Sequence, residues 1–205
     1  MPPIVSDEYK QKKKREILDS AQQAFGEKGY QVATIDDIVA YSGMSKGAIY
    51  NYFESKEDIY VQLMNLRTER TFEFFEESLK EYKTATEKIK FLFKTYADVE
   101  LNEDRQKSIQ VHVEFFINSG RDAEMKKLMV DRFKDIYQKF LIEIVEEGKK
   151  VGEFGTHVDS NIISSLFWGI LDGVCLHYSV LGADEYPYQD IMVEAEKIFM
   201  QYIQK

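Results

Sequence analysis

The chain has 205 residues, 44% of them hydrophobic and 14% aromatic, which excludes a disordered polymer and supports one substantial core or a small module on a larger body. Its three prolines stand at positions 2, 3 and 187, and no two-residue hairpin signal separates β-branched runs, so the chain reads as all-α. The net charge of −9 argues against a uniformly basic nucleic-acid binder, yet residues 9–56 carry 8 basic against 6 acidic side chains while residues 61–205 carry 19 against 26. DNA senses the local field within about one Debye length, ~8–10 Å, so the first segment keeps that partner open.

The N-terminus, Met-Pro-Pro-Ile-Val-Ser-Asp followed by polar residues, has no signal-peptide pattern. A first helix is predicted over about 8–29, with Ile17, Leu18, Ala21, Ala24 and Phe25 on one face and Gly29 ending it. Lys10, Lys12, Lys13, Lys14 and Arg15 crowd its start. Alone they are a solvated charge run. Beside a DNA-binding element they become a phosphate clamp or a minor-groove arm.

Residues 34–56 are the most informative stretch. Thr34 with Asp37 forms a capping box, and Ile35, Ile38 and Val39 then recur at helical spacing to about residue 41. Gly43 can take the left-handed conformation that ends a helix, and Ser45 caps the next one. Ile49 and Phe53 face inward with Ala48 beside them, so Lys46, Gly47, Tyr50 and Asn51 point outward. Ser55 and Asp58 make a second box that opens a third helix. Two helices joined by a short glycine turn match a helix-turn-helix.

The outward chemistry suits DNA. Lys46 can reach a guanine edge or a phosphate, and Asn51 an adenine or a phosphate. Gly47 lets the backbone come close, and Tyr50 and Tyr52 offer rings to thymine methyls or sugars and hydroxyls to phosphates. Lys56 can hold a phosphate at the start of the third helix. Thr34 and Ser45, at the two helix starts, complete the candidate DNA-contact set. The competing reading is a surface helical hairpin, and the paired tyrosines beside Lys46, Gly47 and Asn51 weigh against it.

A long helix over about 55–82 follows, with no Gly/Ser/Pro linker behind it. Thr84 and Glu87 form another capping box ahead of Ile89, Leu92, Phe93, Tyr96 and Val99. After a break near 102–105, a helix to about 118 places Ile109, His112, Val113 and Phe116 on one side. The next, over about 121–151, presents Met125, Leu128, Met129, Phe133, Ile136, Tyr137, Phe140 and Ile144. Helices over about 159–181 and 188–203 finish a set of about nine.

The penultimate helix contains the longest apolar stretch, 162–181, but Ser164, Ser165, Asp172, His177 and Ser179 make it a buried helix rather than a membrane span. Ser165, Gly169 and Gly173 lie four apart, a small-residue stripe that lets another helix approach closely. Ser165, Trp168, Asp172 and Cys175 form the adjacent stripe. Cys175 is the lone cysteine, which excludes a disulfide framework and fits a reducing cytoplasm. His112, His157 and His177 lack paired ligand spacing, so no metal is expected. No phosphate loop, Gly-x-Ser-x-Gly or Rossmann fingerprint is present, so neither an enzyme nor a cofactor is expected.

Residues 10–56, through "REILDSAQQAFGEKGYQVATIDDIVAYSGMSKGAIYNYFESKEDIY" with its Tyr-x-Tyr-Phe-x-Ser-Lys close, resemble the DNA-binding head of the tetracycline-repressor (TetR) family. Beyond residue 60 the likeness is one of helical layout and length. Asp36 and Asp37 depart from it, standing where many relatives carry a basic residue. The resemblance implies a DNA-binding domain over 1–54 and a ligand-binding and dimerisation domain over 55–205. It implies a homodimer built on the last two helices, with Ser165, Gly169 and Gly173 at the contact, and a palindromic double-stranded DNA operator. A cavity for a small hydrophobic effector is implied among the body helices, with Tyr96, His112, Phe116, Phe133, Tyr137, Trp168 and Asp172 as candidate lining. These aromatics equally suit a helical core, His112 a hydrogen-bonded core histidine, and Asp172 a satisfied carboxylate or an interface contact. A repressor is the first reading. An activator with the same head, or a helical interaction module without specific DNA binding, are the alternatives.

Overall fold

The computed structural model describes residues 6–204, and among these every regular element is a helix. The N-terminal part comprises α1 (Asp7–Lys28), α2 (Ile35–Ser42), α3 (Lys46–Tyr50) and the start of α4 (Lys56–Leu79). Then come α5 (Ala85–Ala97) and α6 (Glu103–Ser119). The long α7 has three parts: α-helical Ala123–Arg132, π-helical Phe133–Gln138 and α-helical Lys139–Val151. α8 (Ser160–Leu181) and α9 (Tyr188–Ile203) close the set of nine described helices.

The boundaries follow local chemistry. Ser6, Thr34, Ser45, Thr84, Asn102, Asp122 and Asp159 each accept a backbone N–H at a helix start. The box expected at the start of α4 is shifted by one residue. Ser55 Oγ accepts from Asp58 N–H at 3.1 Å, while the Asp58 carboxylate accepts from Glu54 N–H at 2.9 Å rather than from Ser55.

The chain divides into two compact units between Glu73 and Phe74, so α4 contributes to both. The first has its own core: Ile17, Ala21, Ala24 and Phe25 of α1 with Ile38, Ile49, Phe53 and Ile59. Phe25, Tyr30 and Tyr60 form an aromatic triangle with ring centroids 5.2–5.7 Å apart.

In the second unit α5 packs on α9, α6 on α8, and the C-terminal part of α7 on α5 and α8. Phe93, Phe167 and Phe199 meet edge to face at its centre. Gly148 permits the close approach of α7 to Phe154, because a Cβ there would lie 2.3 Å from that ring and 2.9 Å from the Ala85 methyl.

One expected face is corrected. On α6 the buried residues are Val111, Phe115 and Ser119, while His112 and Phe116 are exposed, Phe116 by 56%. The stripe Ile109, His112, Val113 and Phe116 thus names the wrong side of the helix. On α7 no residue before Lys139 is buried, whereas Leu141, Ile144, Val145 and Gly148 are. The expected stripe Met125, Leu128, Met129, Phe133, Ile136, Tyr137, Phe140 and Ile144 is nonetheless the less exposed side of α7, half-buried as far as Phe140 and buried at Ile144.

Candidate nucleic-acid interface and helical body

The first unit presents its outward residues by burying what lies beneath them. The Thr34–Asp37 box is complete: Thr34 Oγ1 accepts from Asp37 N–H, and Asp37 Oδ2 accepts from Thr34 N–H at 2.9 Å and from its hydroxyl at 2.8 Å. Lys28 holds the same carboxylate at 2.5 Å, and with these hydrogen bonds brings it down to about 2. Gly43 adopts the left-handed turn at φ 65°, and Ser45 Oγ accepts from Ala48 N–H to start α3. Ile49 and Phe53 are 0% and 2% exposed. Lys46, Gly47, Tyr50 and Asn51 lie on the solvent side, and Tyr52 is half-buried.

Gly47 is informative because the fold does not require it. An added Cβ would meet nothing within 4 Å, and the backbone is ordinary helix. A helical glycine costs about 0.5–1 kcal/mol relative to alanine, and at Gly47 no packing within the protomer offsets that cost.

Three candidate contacts carry internal duties. Thr34 uses its hydroxyl as both acceptor and donor within its box. Ser45 accepts as a cap, which leaves its O–H able to donate. Lys56 is engaged within the protomer: its ammonium donates to the carbonyls of Tyr30 at 2.8 Å, Gln31 at 3.2 Å and Ala33 at 3.0 Å, and lies 4.6 Å from the Tyr30 ring centre. Its three N–H donors are thereby used.

The basic run sits at the start of α1. Lys10, Lys12, Lys13, Lys14 and Arg15 belong to α1, so none of them forms an extended arm. At 100° per residue Lys10, Lys13 and Lys14 share one side and Lys12 and Arg15 the other. Lys14 Nζ lies 5.7 Å from the Phe53 ring centre and Lys13 Nζ 2.6 Å from Glu16, so the first side borders the end of α3.

Lys46 pairs with Asp36 at 3.0 Å, both well exposed. Such a pair is worth ~0–1 kcal/mol and gives way to a phosphate. Asp36 is therefore expected to oppose a phosphate at Lys46. Asp36→Asn should tighten binding to any DNA and steepen its salt dependence, measured by titration at two salt concentrations. Unchanged affinity would show that Lys46 does not approach the backbone.

In the second unit the π-helical stretch meets α8. Trp168 Nε1 donates to Tyr137 O at 2.9 Å and Ser164 Oγ to Gln138 O at 3.1 Å. The Trp168 indole stands edge-on to Tyr137 at 5.0 Å and to Tyr96 at 6.3 Å. Tyr96, Tyr137 and Trp168 are thus brought together. His112 and Phe116 stack on each other on the exposed side of α6, and Asp172 lies toward the solvent side of α8.

The outward face of α8 carries Ile162, Ser165, Leu166, Gly169, Gly173, Leu176 and Val180, and α9 adds Val193, Ile198 and Tyr202. Ile162, Val180 and Ile198 are 67–71% exposed. α8 is long and apolar enough to cross a membrane by length and composition, with 44% of its apolar window buried against the protein. Among the described residues no group of three or more His, Cys, Asp or Glu is placed to hold a metal.

At Asp172 loss of hydration pushes the carboxyl up to about 6, although part of the residue stays open to solvent in the protomer. An unfolded aspartate titrates near ~3.9. Between about 4 and 6 the native state therefore binds the extra proton, and its stability falls as pH rises through that window. Asp172→Asn should remove this slope, so its melting temperature should gain on the native chain's between pH 4 and 6. A difference independent of pH would contradict the shielding.

A helix-turn-helix with a lysine, a bare backbone and tyrosines on its outer helix, on an all-α body, defines a DNA-binding regulator. Residues 17–63 match the family model for bacterial regulatory proteins of the tetR family, and residues 89–188 match a tetracyclin repressor-like C-terminal domain. The chain belongs to the TetR family of transcriptional regulators. It is 28% identical over 163 residues to the fatty acid metabolism regulator protein of Bacillus subtilis (strain 168), covering 80% of this chain and 81% of that one. Two solved structures share the fold: FadR from Bacillus subtilis in complex with stearoyl-CoA, with a TM-score of 0.70, 22% identity and 91% and 97% of the two chains covered; and a regulator from Saccharomonospora viridis in complex with choline, with a TM-score of 0.78, 20% identity and 95% and 99% covered.

Proposed function

We propose that this protein is a ligand-controlled repressor that binds a palindromic operator as a homodimer in the cytoplasm. The carrying observation is the outer surface of α3, where Lys46, Gly47, Tyr50 and Asn51 face solvent above the buried Ile49 and Phe53. Residues 1–54 serve as the DNA-binding domain, with Ser45 and Tyr52 flanking that surface and Lys10, Lys13 and Lys14 on phosphates. Residues 55–205 serve as the dimerisation and ligand domain. The outward apolar faces of α8 and α9 pair across the two-fold axis, and the effector is small and largely apolar, resting near Tyr96, Tyr137 and Trp168. The protein acts by binding rather than by catalysis.

Control requires an effector that prefers the conformation unable to bind DNA. A coupling of ~1–3 kcal/mol lowers operator affinity ~5–150-fold. α4 is the element through which it acts, since it contributes to both compact units. Trp168, the single tryptophan, provides the readout. Hydrophobic compounds that change its emission should release operator DNA. Compounds that bind the body and leave operator affinity unchanged would end the ligand-controlled reading.

A further inference from the structure

The body holds one charged group that the reading above leaves unused. Arg105 lies in the first turn of α6, and its Nε is cut off from solvent without a hydrogen-bond partner. A buried donor in that state calls for an explanation. No ion pair to Arg105 is found among the described residues.

Its surroundings are polar, and one carboxylate, Asp172, acts on Cys175 at the edge of the cluster. Tyr178 donates its hydroxyl to Asn102 O at 3.1 Å, three residues before Arg105. The Tyr178 ring packs on Tyr188 at 5.6 Å, and the Tyr188 hydroxyl lies 3.9 Å from Cys175 Sγ. Burial pushes Tyr96, Tyr178, Tyr188 and Cys175 upward, and the nearby Arg105 charge only partly opposes it. At neutral pH the Arg105 cation therefore faces three phenols and one thiol, none of them ionised, while the Asp172 carboxylate bears on the thiol rather than on Arg105. Tyr96 links this cluster to the Trp168 and Tyr137 rings.

We infer that Arg105 anchors the effector, and that the effector is a monocarboxylic acid with an apolar body. Its carboxylate pairs with the guanidinium, the phenols provide hydrogen bonds, and its apolar part lies against Tyr96, Tyr137 and Trp168. One half-buried positive charge is matched by one carboxylate, whereas a phosphate dianion would leave surplus negative charge. An alcohol of the same shape would leave the Arg105 charge uncompensated. The family likeness does not supply this choice, since neighbours of the same fold are in complex with ligands as different as stearoyl-CoA and choline. The inference rests on the ligand-controlled reading for its biological meaning but not for its test.

The test compares matched acid and alcohol probes by Trp168 emission: dodecanoate with dodecanol, and 1-naphthoate with 1-naphthalenemethanol. At least one acid should bind ~10–100-fold more tightly than its alcohol, the range of a charge-assisted pair. Arg105→Gln should erase that preference, and Arg105→Lys should retain part of it. Arg105→Met should not lower the melting temperature, because it removes a half-buried charge whose Nε has no partner. Equal binding of acids and alcohols, binding of neither acid, or a preference surviving in Arg105→Gln would overturn the assignment. A lowered melting temperature in both Arg105→Gln and Arg105→Met would do so too, by making the residue structural. Acid preference without operator release would defeat ligand control and leave the Arg105 assignment standing.

Discussion

Replacing Gly169 with leucine should leave the protomer folded, break the dimer and abolish operator binding. Within the protomer nothing opposes the substitution, because a Cβ at Gly169 or Gly173 would meet no atom within 4 Å. Leucine is also a better helix former than glycine, by ~0.5–1 kcal/mol. Any harm must therefore come from a second helix brought against the outward face of α8. That face exposes Ile162 by 67%, Leu166 by 47%, Leu176 by 42% and Val180 by 71%, a contiguous apolar patch of the kind that marks an interface. One α3 offers one lysine and one asparagine to DNA, which reads too few bases to find a site in a genome. A two-fold dimer doubles the readout at half-sites ~34–36 Å apart or a multiple of that. Sedimentation should find the native chain dimeric and Gly169→Leu monomeric or aggregated with native helix content. A dimeric variant that binds DNA normally would move the interface elsewhere.

Lys46→Ala and Lys56→Ala should fail in opposite ways, although both lysines border α3. Lys46 is held only by an exposed pair with Asp36, so its loss should spare the fold. Operator affinity should drop by ~1–3 kcal/mol if it reads a base edge. If it meets only a phosphate, binding should weaken on all sequences and the salt slope should fall by ~1. Lys56 ties the carbonyls of Tyr30, Gln31 and Ala33 to the start of α4. Its removal orphans part-buried acceptors, each worth ~1–3 kcal/mol, so the N-terminal unit should lose stability while DNA contacts stay intact. Melting curves and operator titrations on the two variants separate the effects. A stable Lys56→Ala with a reduced salt slope would restore the phosphate role.

Much of this was legible in the sequence, and the failures share one cause. Capping residues and turn glycines announce themselves locally, so Thr34, Gly43, Ser45, Thr84 and Asp159 mark real helix starts and stops. The outward set on α3 followed because Ile49 and Phe53 fix which way the short helix faces. What failed depends on partners distant in sequence. The carbonyls that hold Lys56 lie 23–26 residues away and carry no side-chain signature. The π-helical stretch Phe133–Gln138 has no proline or glycine to betray it. On α6 an apolar stripe containing His112 and Phe116 looked as good as the true one with Val111 and Phe115, because both recur at helical spacing. Arg105 fell in what the sequence showed only as a break near 102–105, and its enclosed Nε appears only in the fold.

Selection of genomic DNA fragments bound by the intact protein tests the central claim most directly. The bound fragments should share an inverted repeat with half-sites about one helical turn apart or a multiple of it, occupied by a two-fold dimer and lost with Lys46→Ala. A repeat that overlaps promoter elements would agree with repression. Recovery of fragments without a shared sequence, at an affinity set by salt alone, would contradict the account and make the protein a helical interaction module without specific DNA binding.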